Sequence, residues 1–218
     1  MLKAVLTIVS VCVLAGCSSG GNASSPRKAD ISKVTEVKSS FGPEFKVKEI
    51  AKRAVDPTAM SGPKLPAGVV VEPSECAKVV LGPEMPLGLQ GSMAGVSAES
   101  DANRFMVIAL ETSAPLPFPD DGRHCSRVTF SGPHMQGSVE AVDAPKIDDT
   151  RTVGMHRVLQ SVDNASHSSE LYQYLAQFDD YEIIITASPV VVPDQPVVLV
   201  DTQHARDLLV KAVAAVRG

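Results

Sequence analysis

Three pairs of adjacent aspartates are the residues of this chain best suited to hold a divalent cation, because paired carboxylates are hard oxygen ligands. They are Asp120-Asp121, Asp148-Asp149 and Asp179-Asp180. Each pair falls where the sequence predicts a turn, and aspartate favours turns because its side chain bonds to its own backbone. The spacing also differs from that of a calcium-binding loop. We therefore expect turns at these pairs, and neither a metal site nor a cofactor.

The five histidines are dispersed along the chain, and no two of them have metal-ligand spacing. The sequence contains neither the H-E-x-x-H zinc motif nor the G-x-S-x-G nucleophile elbow. His156 lies in a predicted strand as a packed or surface residue, and His204 is expected to be exposed in the first turn of the last helix. No catalytic residue is predicted. A hydrolase site assembled in space remains an alternative, which a pocket joining His124 or His156 to a serine or a carboxylate would favour.

The first residues predict export from the cytoplasm. Lys3 precedes an apolar run at residues 4–13, which suits the ~7–15 residues of a signal-peptide core and is shorter than the ~20 residues of a membrane span. Leu14-Ala15-Gly16-Cys17 then matches a lipobox. Cleavage after Gly16 would leave Cys17 as an acylated N-terminus, and an ordinary secretory signal is the alternative.

Small polar residues from 18 to 25 indicate a flexible tether. The predicted organisation is a signal peptide at 1–16, a lipidated cysteine and tether at 17–29, and a single domain at 30–218. The predicted location is the extracytoplasmic face of the cell membrane, with the lipid anchor as the membrane contact.

Cys76 and Cys125 are the two cysteines left in the predicted domain, because Cys12 and Cys17 belong to the export signal. Outside the cytoplasm an isolated pair is expected to form a disulfide. A catalytic thiol at Cys125, beside His124, is the alternative. Two cysteines without clustered partners fall short of a zinc site.

The charge pattern excludes one class of partner. The formal net charge is -5 at pH 7, and the basic residues are scattered without a stripe, a zinc-finger spacing or an arginine-aromatic platform. Nucleic acid is therefore not an expected partner.

The pattern of the remaining chain predicts an α+β domain. Asp30 can cap a helix with an apolar face, a short helix follows Ser74, and Asp201 can cap a final helix with apolar residues at spacings of three and four. Residues 44–49 alternate as a strand, residues 56–73 read as a loop, and short strand patterns follow one another from 92 to 187. The runs at 105–110 and 183–187 are apolar without alternation, so helices are expected to cover both faces of the sheet at its centre. We expect an antiparallel sheet of about six or seven strands with the C-terminal helix and shorter helices packed on its faces.

Two proline-stiffened loops, residues 82–91 and 115–119, carry apolar side chains. Apolar residues on loops often mark the surface that binds a ligand or a partner. The alternative is that they form a minor core over the end of the sheet. The residues concerned are Met85, Leu87, Leu89, Leu116 and Phe118.

The chain also resembles a family of mycobacterial and related actinobacterial lipoproteins whose common domain has no assigned function. The segments that carry the likeness are 41–47, 103–105, 109–112, 142–145, 156–159, 192–193 and 200–209. More remotely, the strand order, the disulfide and the final helix are similar to the extracellular sensor domain of a mycobacterial receptor serine/threonine kinase. The likeness implies a fold and no catalytic residues.

Together these observations predict a non-enzymatic extracytoplasmic module that binds a lipid or another envelope ligand. The alternative is an accessory subunit that contacts an envelope protein through the same loops.

Overall fold

The computed structural model describes residues 29–55, 66–82, 86, 88–119, 125–162, 168–192 and 196–218. Within these residues no helix combines the length and the apolar character needed to cross a membrane. The predicted signal peptide, Cys17 and the tether lie outside this part of the chain, except for Ala29.

A single antiparallel sheet of nine strands forms the centre of the described structure. The strands are β1 (Lys46–Ala54), β2 (Val70–Glu72), β3 (Gly91–Glu99), β4 (Asn103–Thr112), β5 (Arg127–Ser131), β6 (Met135–Val142), β7 (Arg151–Ser161), β8 (Ser168–Phe178) and β9 (Tyr181–Pro189). Their spatial order is β1-β3-β4-β9-β8-β7-β6-β5-β2. The α+β class with an antiparallel sheet is confirmed, but the expected six or seven strands are too few. The unpredicted strand is β2, whose three residues are too short to show a period and lie in the stretch predicted as a loop.

The first helix, η1 (Ile31–Ser40), is a 3₁₀ helix. Its buried residues Ile31, Val34 and Val37 recur every third position, which matches three residues per turn. Asp30 begins it as predicted, since its carboxylate accepts a hydrogen bond from the Ser32 backbone N–H at 2.9 Å. Two further short helices follow each other directly, η2 (Ser74–Cys76) and α1 (Ala77–Leu81).

The final helix, α2 (Thr202–Arg217), confirms the predicted cap and apolar face. Asp201 accepts a hydrogen bond from the His204 backbone N–H at 2.9 Å. The stripe of residues at spacings of three and four is fully buried against the sheet and η1. It consists of Ala205, Leu208, Leu209, Ala212, Val213 and Val216.

The two faces of the sheet are covered in different ways. Both η1 and α2 pack on one face, which we call the helical face. On the second face, Ile108 and Leu110 of β4 pack against Leu89 and Leu116, which belong to loops. The expectation that helices cover both faces of the central strands is therefore wrong, because apolar loop residues supply the second cover without a helical period.

Helix α1 lies on the second face, beyond the central strands. Cys76 and Val80 pack there against Val128, Phe130 and Val139. Side chains alternate across a strand, and the register places Val128, Val139 and Arg157 in one row across β5, β6 and β7. The second face thus has an apolar cluster under the loops and another under α1.

Candidate functional site

A cavity of about 460 Å³ lies on the second face between α1 and residues 113–119, which we call the cover loop. This volume is within the ~300–1,000 Å³ of sites that bind small molecules. Side chains of β7 and β8 form its floor. They are Met155 and Arg157 from β7, and Gln173 and Leu175 from β8.

The floor combines apolar and polar groups because of the strand register. Met155 pairs with Gln173 across β7 and β8, and residues two apart on each strand point to the same face. Arg157 is therefore the floor residue beside α1, and Leu175 lies farther along toward the cover loop.

Helix α1 forms one wall, and it is fixed at both ends. The predicted disulfide is present, and it joins Cys76 at the start of the helix to Cys125 beside β5. At the other end, Nη2 of Arg157 donates hydrogen bonds to the carbonyl oxygens of Val79 at 3.5 Å and Val80 at 3.1 Å. A cation at a helix C-terminus also interacts favourably with the helix dipole.

The cover loop forms the opposite wall and is fixed by polar contacts as well as by Leu116. Nε2 of Gln177 donates to the carbonyl oxygen of Leu116 at 2.6 Å, and the Thr112 hydroxyl donates to that of Ala114 at 2.8 Å. The guanidinium carbon of Arg151 lies 4.4 Å from the centre of the Phe118 ring, within cation-π distance. Phe118 is thereby held at the cavity, with Pro117 and Pro119 beside it.

The charged groups that line the described part of the cavity are both cationic. They are Lys78, exposed on α1, and the partly buried Arg157. Burial lowers the pKa of the Arg157 guanidinium below its usual value, but a guanidinium stays charged in proteins. Among the described residues, no carboxylate forms an ion pair with Arg157, and the side-chain amide of Gln173 makes no hydrogen bond.

A buried carboxylate lies next to the cover loop. Glu182 pairs with Gln177 of β8 and Leu110 of β4 on the second face, and 8% of its surface is exposed. Burial raises the pKa of Glu182 to about 7, because a charge is costly to remove from water without a partner.

The apolar loop residues predicted from sequence are divided by the structure. Leu89 and Leu116 are buried in the cluster under the loops, so for these two the alternative of a minor core is correct. Phe118 lines the cavity. Met85 and Leu87 lie outside the described residues.

The sequence reasoning missed Arg157, Gln173 and Lys78. A signal for the first was present: Arg157 interrupts the alternation of Val153, Met155 and Leu159, whose side chains face the second face of the sheet. A charged residue in a row of apolar ones points to a special role, because charges are seldom buried without a partner.

His156 has a carboxylate neighbour but no hydroxyl neighbour in the described part of the chain. His156 is on the helical face, away from the cavity, with Nε2 2.9 Å from Glu170 Oε1 and its ring stacked on Tyr172. No described hydroxyl group hydrogen-bonds to His156, so this pair lacks the nucleophile of a triad. His124 lies outside the described residues.

His204 is not exposed as predicted. Its ring centre lies 5.3 Å from that of Phe41 and 5.1 Å from that of Phe105. Nε2 is buried and has no hydrogen-bond partner among the described groups. The reason is that Phe41, at the end of η1, and Phe45, directly before β1, lie against the His204 ring, which the sequence pattern did not show.

Two aspartate pairs lie in turns, as predicted. Asp149 and Asp179 have positive φ angles of 51° and 47°, a conformation that aspartate tolerates better than most residues. In the described ranges no three potential metal-binding side chains cluster. The pair Asp120-Asp121 lies outside these ranges.

Comparison with known proteins identifies the family. A model described as a domain of unknown function, DUF5642, matches residues 30–217. The chain belongs to this family. The DUF5642 domain is also similar to a solved structure of an uncharacterised protein from Mycobacterium smegmatis, the Rv0999 ortholog. The two are 52% identical with a TM-score of 0.82, over 89% of this chain and 100% of the other.

The extracellular domain of PknH from Mycobacterium tuberculosis also matches the DUF5642 domain, with 12% identity and a TM-score of 0.37 over 86% of this chain and 93% of the other. No curated protein matches this chain. The family model and the 52%-identical structure from Mycobacterium smegmatis confirm the predicted resemblance to a mycobacterial family of unassigned function.

Proposed function

We propose that this DUF5642 domain is a non-enzymatic binding module of the cell envelope, which holds a lipid or another amphiphilic envelope ligand between α1 and the cover loop. The observation that carries the proposal is the cavity of about 460 Å³ with fixed walls. Its lining offers the apolar side chains of Phe118, Met155 and Leu175 beside the polar groups of Arg157 and Gln173. Ligand sites commonly combine an apolar surface with a few polar groups.

Two further observations support an extracytoplasmic role. The Cys76–Cys125 disulfide is typical of proteins outside the cytoplasm, and the lipobox at Cys17 predicts an anchor on the outer face of the membrane. The His156–Glu170 pair argues against an enzyme, because no described hydroxyl group is hydrogen-bonded to His156 as a nucleophile.

A variant that fills the cavity tests this proposal. Gln173→Trp places an indole on the floor at a position with no described hydrogen bond to lose, whereas Gln136→Trp places one at an exposed position of β6. The protein and both variants are isolated from their own envelope with the anchor replaced by a cleavable signal, and bound molecules are identified by mass spectrometry. We expect a reproducible lipid on the parent protein and on Gln136→Trp, and at least about tenfold less on Gln173→Trp. An empty parent protein, or equal loading of both variants, would contradict the proposal.

One surface favours the alternative, an accessory subunit that contacts an envelope protein. Between β9 and α2, the exposed fractions are 53% for Val197, 52% for Val198 and 86% for Leu199. This segment is held in place, since Oδ1 of Asn103 accepts a hydrogen bond from the Asp201 backbone N–H at 2.8 Å. Exposed apolar groups on an ordered segment are typical of interaction sites.

Site-specific crosslinking in intact cells tests this alternative. A photoreactive residue at position 199 is compared with one at position 210, where an exposed valine lies on the outer side of α2. If the alternative holds, position 199 gives a reproducible adduct with one envelope protein and position 210 does not. The absence of a protein adduct at 199, or equal adducts at both positions, would argue against it.

A further inference from the structure

The charge distribution in the cavity carries information about the ligand. On the exposed surface, Arg104 and Arg127 pair with Glu99 and Glu140, at 2.6 Å and 3.4 Å. The partly buried Arg157 donates to two carbonyl oxygens of α1, and no described carboxylate pairs with it. A charge removed from water without a counter-charge is unfavourable. Arg157 is therefore a cation whose counter-charge a ligand can supply.

The groups around Arg157 are suited to an anion. A guanidinium presents parallel N–H donors that match two oxygens of a carboxylate or a phosphate. Lys78 adds a second positive charge from the α1 side of the cavity. The Gln173 amide supplies further donors from the neighbouring strand, and no acidic side chain lines the described part of the cavity.

The cavity changes character away from α1. Leu175 and Met155 continue the floor, and Phe118, Pro117 and Pro119 form the apolar wall at the cover loop. Phe118 is held by the guanidinium of Arg151. One end of the cavity therefore favours negative charge, and the other favours an apolar group.

We infer that the ligand is an anionic amphiphile whose carboxylate or phosphate binds Arg157 and Lys78, with its apolar part against Phe118, Met155 and Leu175. This inference rests on the proposed function, because it specifies the ligand of the same cavity.

The test measures binding of four probes by calorimetry to residues 29–218. This part contains all the residues matched by the family model, and the 52%-identical relative, solved by itself, aligns over its whole length with 89% of this chain, so residues 29–218 are expected to fold. The probes are dodecanoic acid, dodecyl phosphate, dodecan-1-ol and inorganic phosphate. We expect at least one of the two anionic amphiphiles to bind about tenfold or more tightly than the alcohol and than inorganic phosphate. The comparison of the two anionic amphiphiles shows which headgroup is preferred.

Arg157→Gln provides the matched variant, because its amide can still donate to the α1 carbonyls while the charge is lost. It is expected to weaken binding of the anionic amphiphiles about tenfold or more and to leave the alcohol unchanged. Arg127→Gln removes an exposed arginine from the helical face. It is expected to change neither the affinity for the anionic amphiphiles nor that for the alcohol. If Arg157→Gln lowers the melting temperature, Lys78→Gln replaces it, because this variant keeps the contact between Arg157 and α1. Lys78→Gln is expected to weaken binding of the anionic amphiphiles by a smaller factor and to leave binding of the alcohol unchanged.

The outcomes separate the inference from the proposed function. The inference of an anionic headgroup would be overturned if the parent protein bound the alcohol and the anions equally, or if Arg157→Gln left the anion affinity unchanged. The proposed binding module would remain in either case. Binding of inorganic phosphate as tight as that of dodecyl phosphate would overturn the amphiphile. Failure of all four probes to bind the folded parent protein would count against the proposed function itself.

Discussion

The double variant Cys76→Ala, Cys125→Ser is expected to lose about 4 kcal/mol of its free energy of unfolding. The disulfide closes a loop with a sequence separation of 49, and in the chain-entropy model a loop of this length stabilises the folded state by about 4 kcal/mol. Alanine suits position 76 because Cys76 is buried among apolar side chains, and serine suits the partly buried position 125. Urea denaturation of parent and variant, analysed by linear extrapolation, gives the difference.

The same parent protein under reducing conditions is the control, because it keeps both sulfur atoms and loses the bond. It should approach the stability of the double variant. A difference of less than about 1 kcal/mol between oxidised and reduced protein would contradict this expectation. Removal of the disulfide should also loosen the α1 wall of the cavity, since the disulfide fixes the start of this helix and Arg157 fixes its end.

Glu182→Gln is expected to remove a pH dependence of stability. The pKa of Glu182 is raised from 4.5 to about 7 in the folded protein, so between these values the folded state binds more protons than the unfolded state. The free energy of unfolding of the parent protein should therefore fall as pH rises from about 4.5 to 7 and then level off, by about 3 kcal/mol in total for this group. At pH 8 the glutamine variant should be more stable by up to this amount, and near pH 4 the two should be similar.

Chemical denaturation at several pH values measures this effect. Glu99→Gln is the control, because it is the same substitution at a side chain that is 44% exposed. This variant keeps Glu182, so its free energy of unfolding should still fall as pH rises from about 4.5 to 7. If the free energy of unfolding of Glu182→Gln instead ran parallel to that of the parent protein across these pH values, Glu182 would not titrate in this range.

The elements that could be predicted are those with a clear period. The stripe of α2 and the spacing of Ile31, Val34 and Val37 indicated two buried helix faces, and both were found. In contrast, β2 has three residues, too few to show alternation. The apolar runs of β4 and β9 indicated two covered faces, but a run of apolar residues does not tell a helix from a loop as the cover.

The candidate site was predicted less well, because it depends on contacts between distant segments. Phe118 was singled out since an apolar residue on a loop is unusual, but Leu116, two positions earlier, is core. Arg157 and Lys78 line the same cavity because α1 lies on the second face of the sheet beside β7, and no local sequence pattern records this. His204 was expected at the surface because nothing in its own helix shows that Phe41 covers it.

The junction between the start of η1 and the end of α2 determines how the molecule can be handled. The Asp30 backbone N–H donates to the Val216 carbonyl oxygen at 2.9 Å, so both ends of the described domain emerge at one corner, on the helical side of the sheet. A chip or a resin coupled after Gly218 would hold the domain at the same corner as a linkage before Asp30. With either linkage the cavity between α1 and the cover loop, on the second face of the sheet, would lie on the side away from the support.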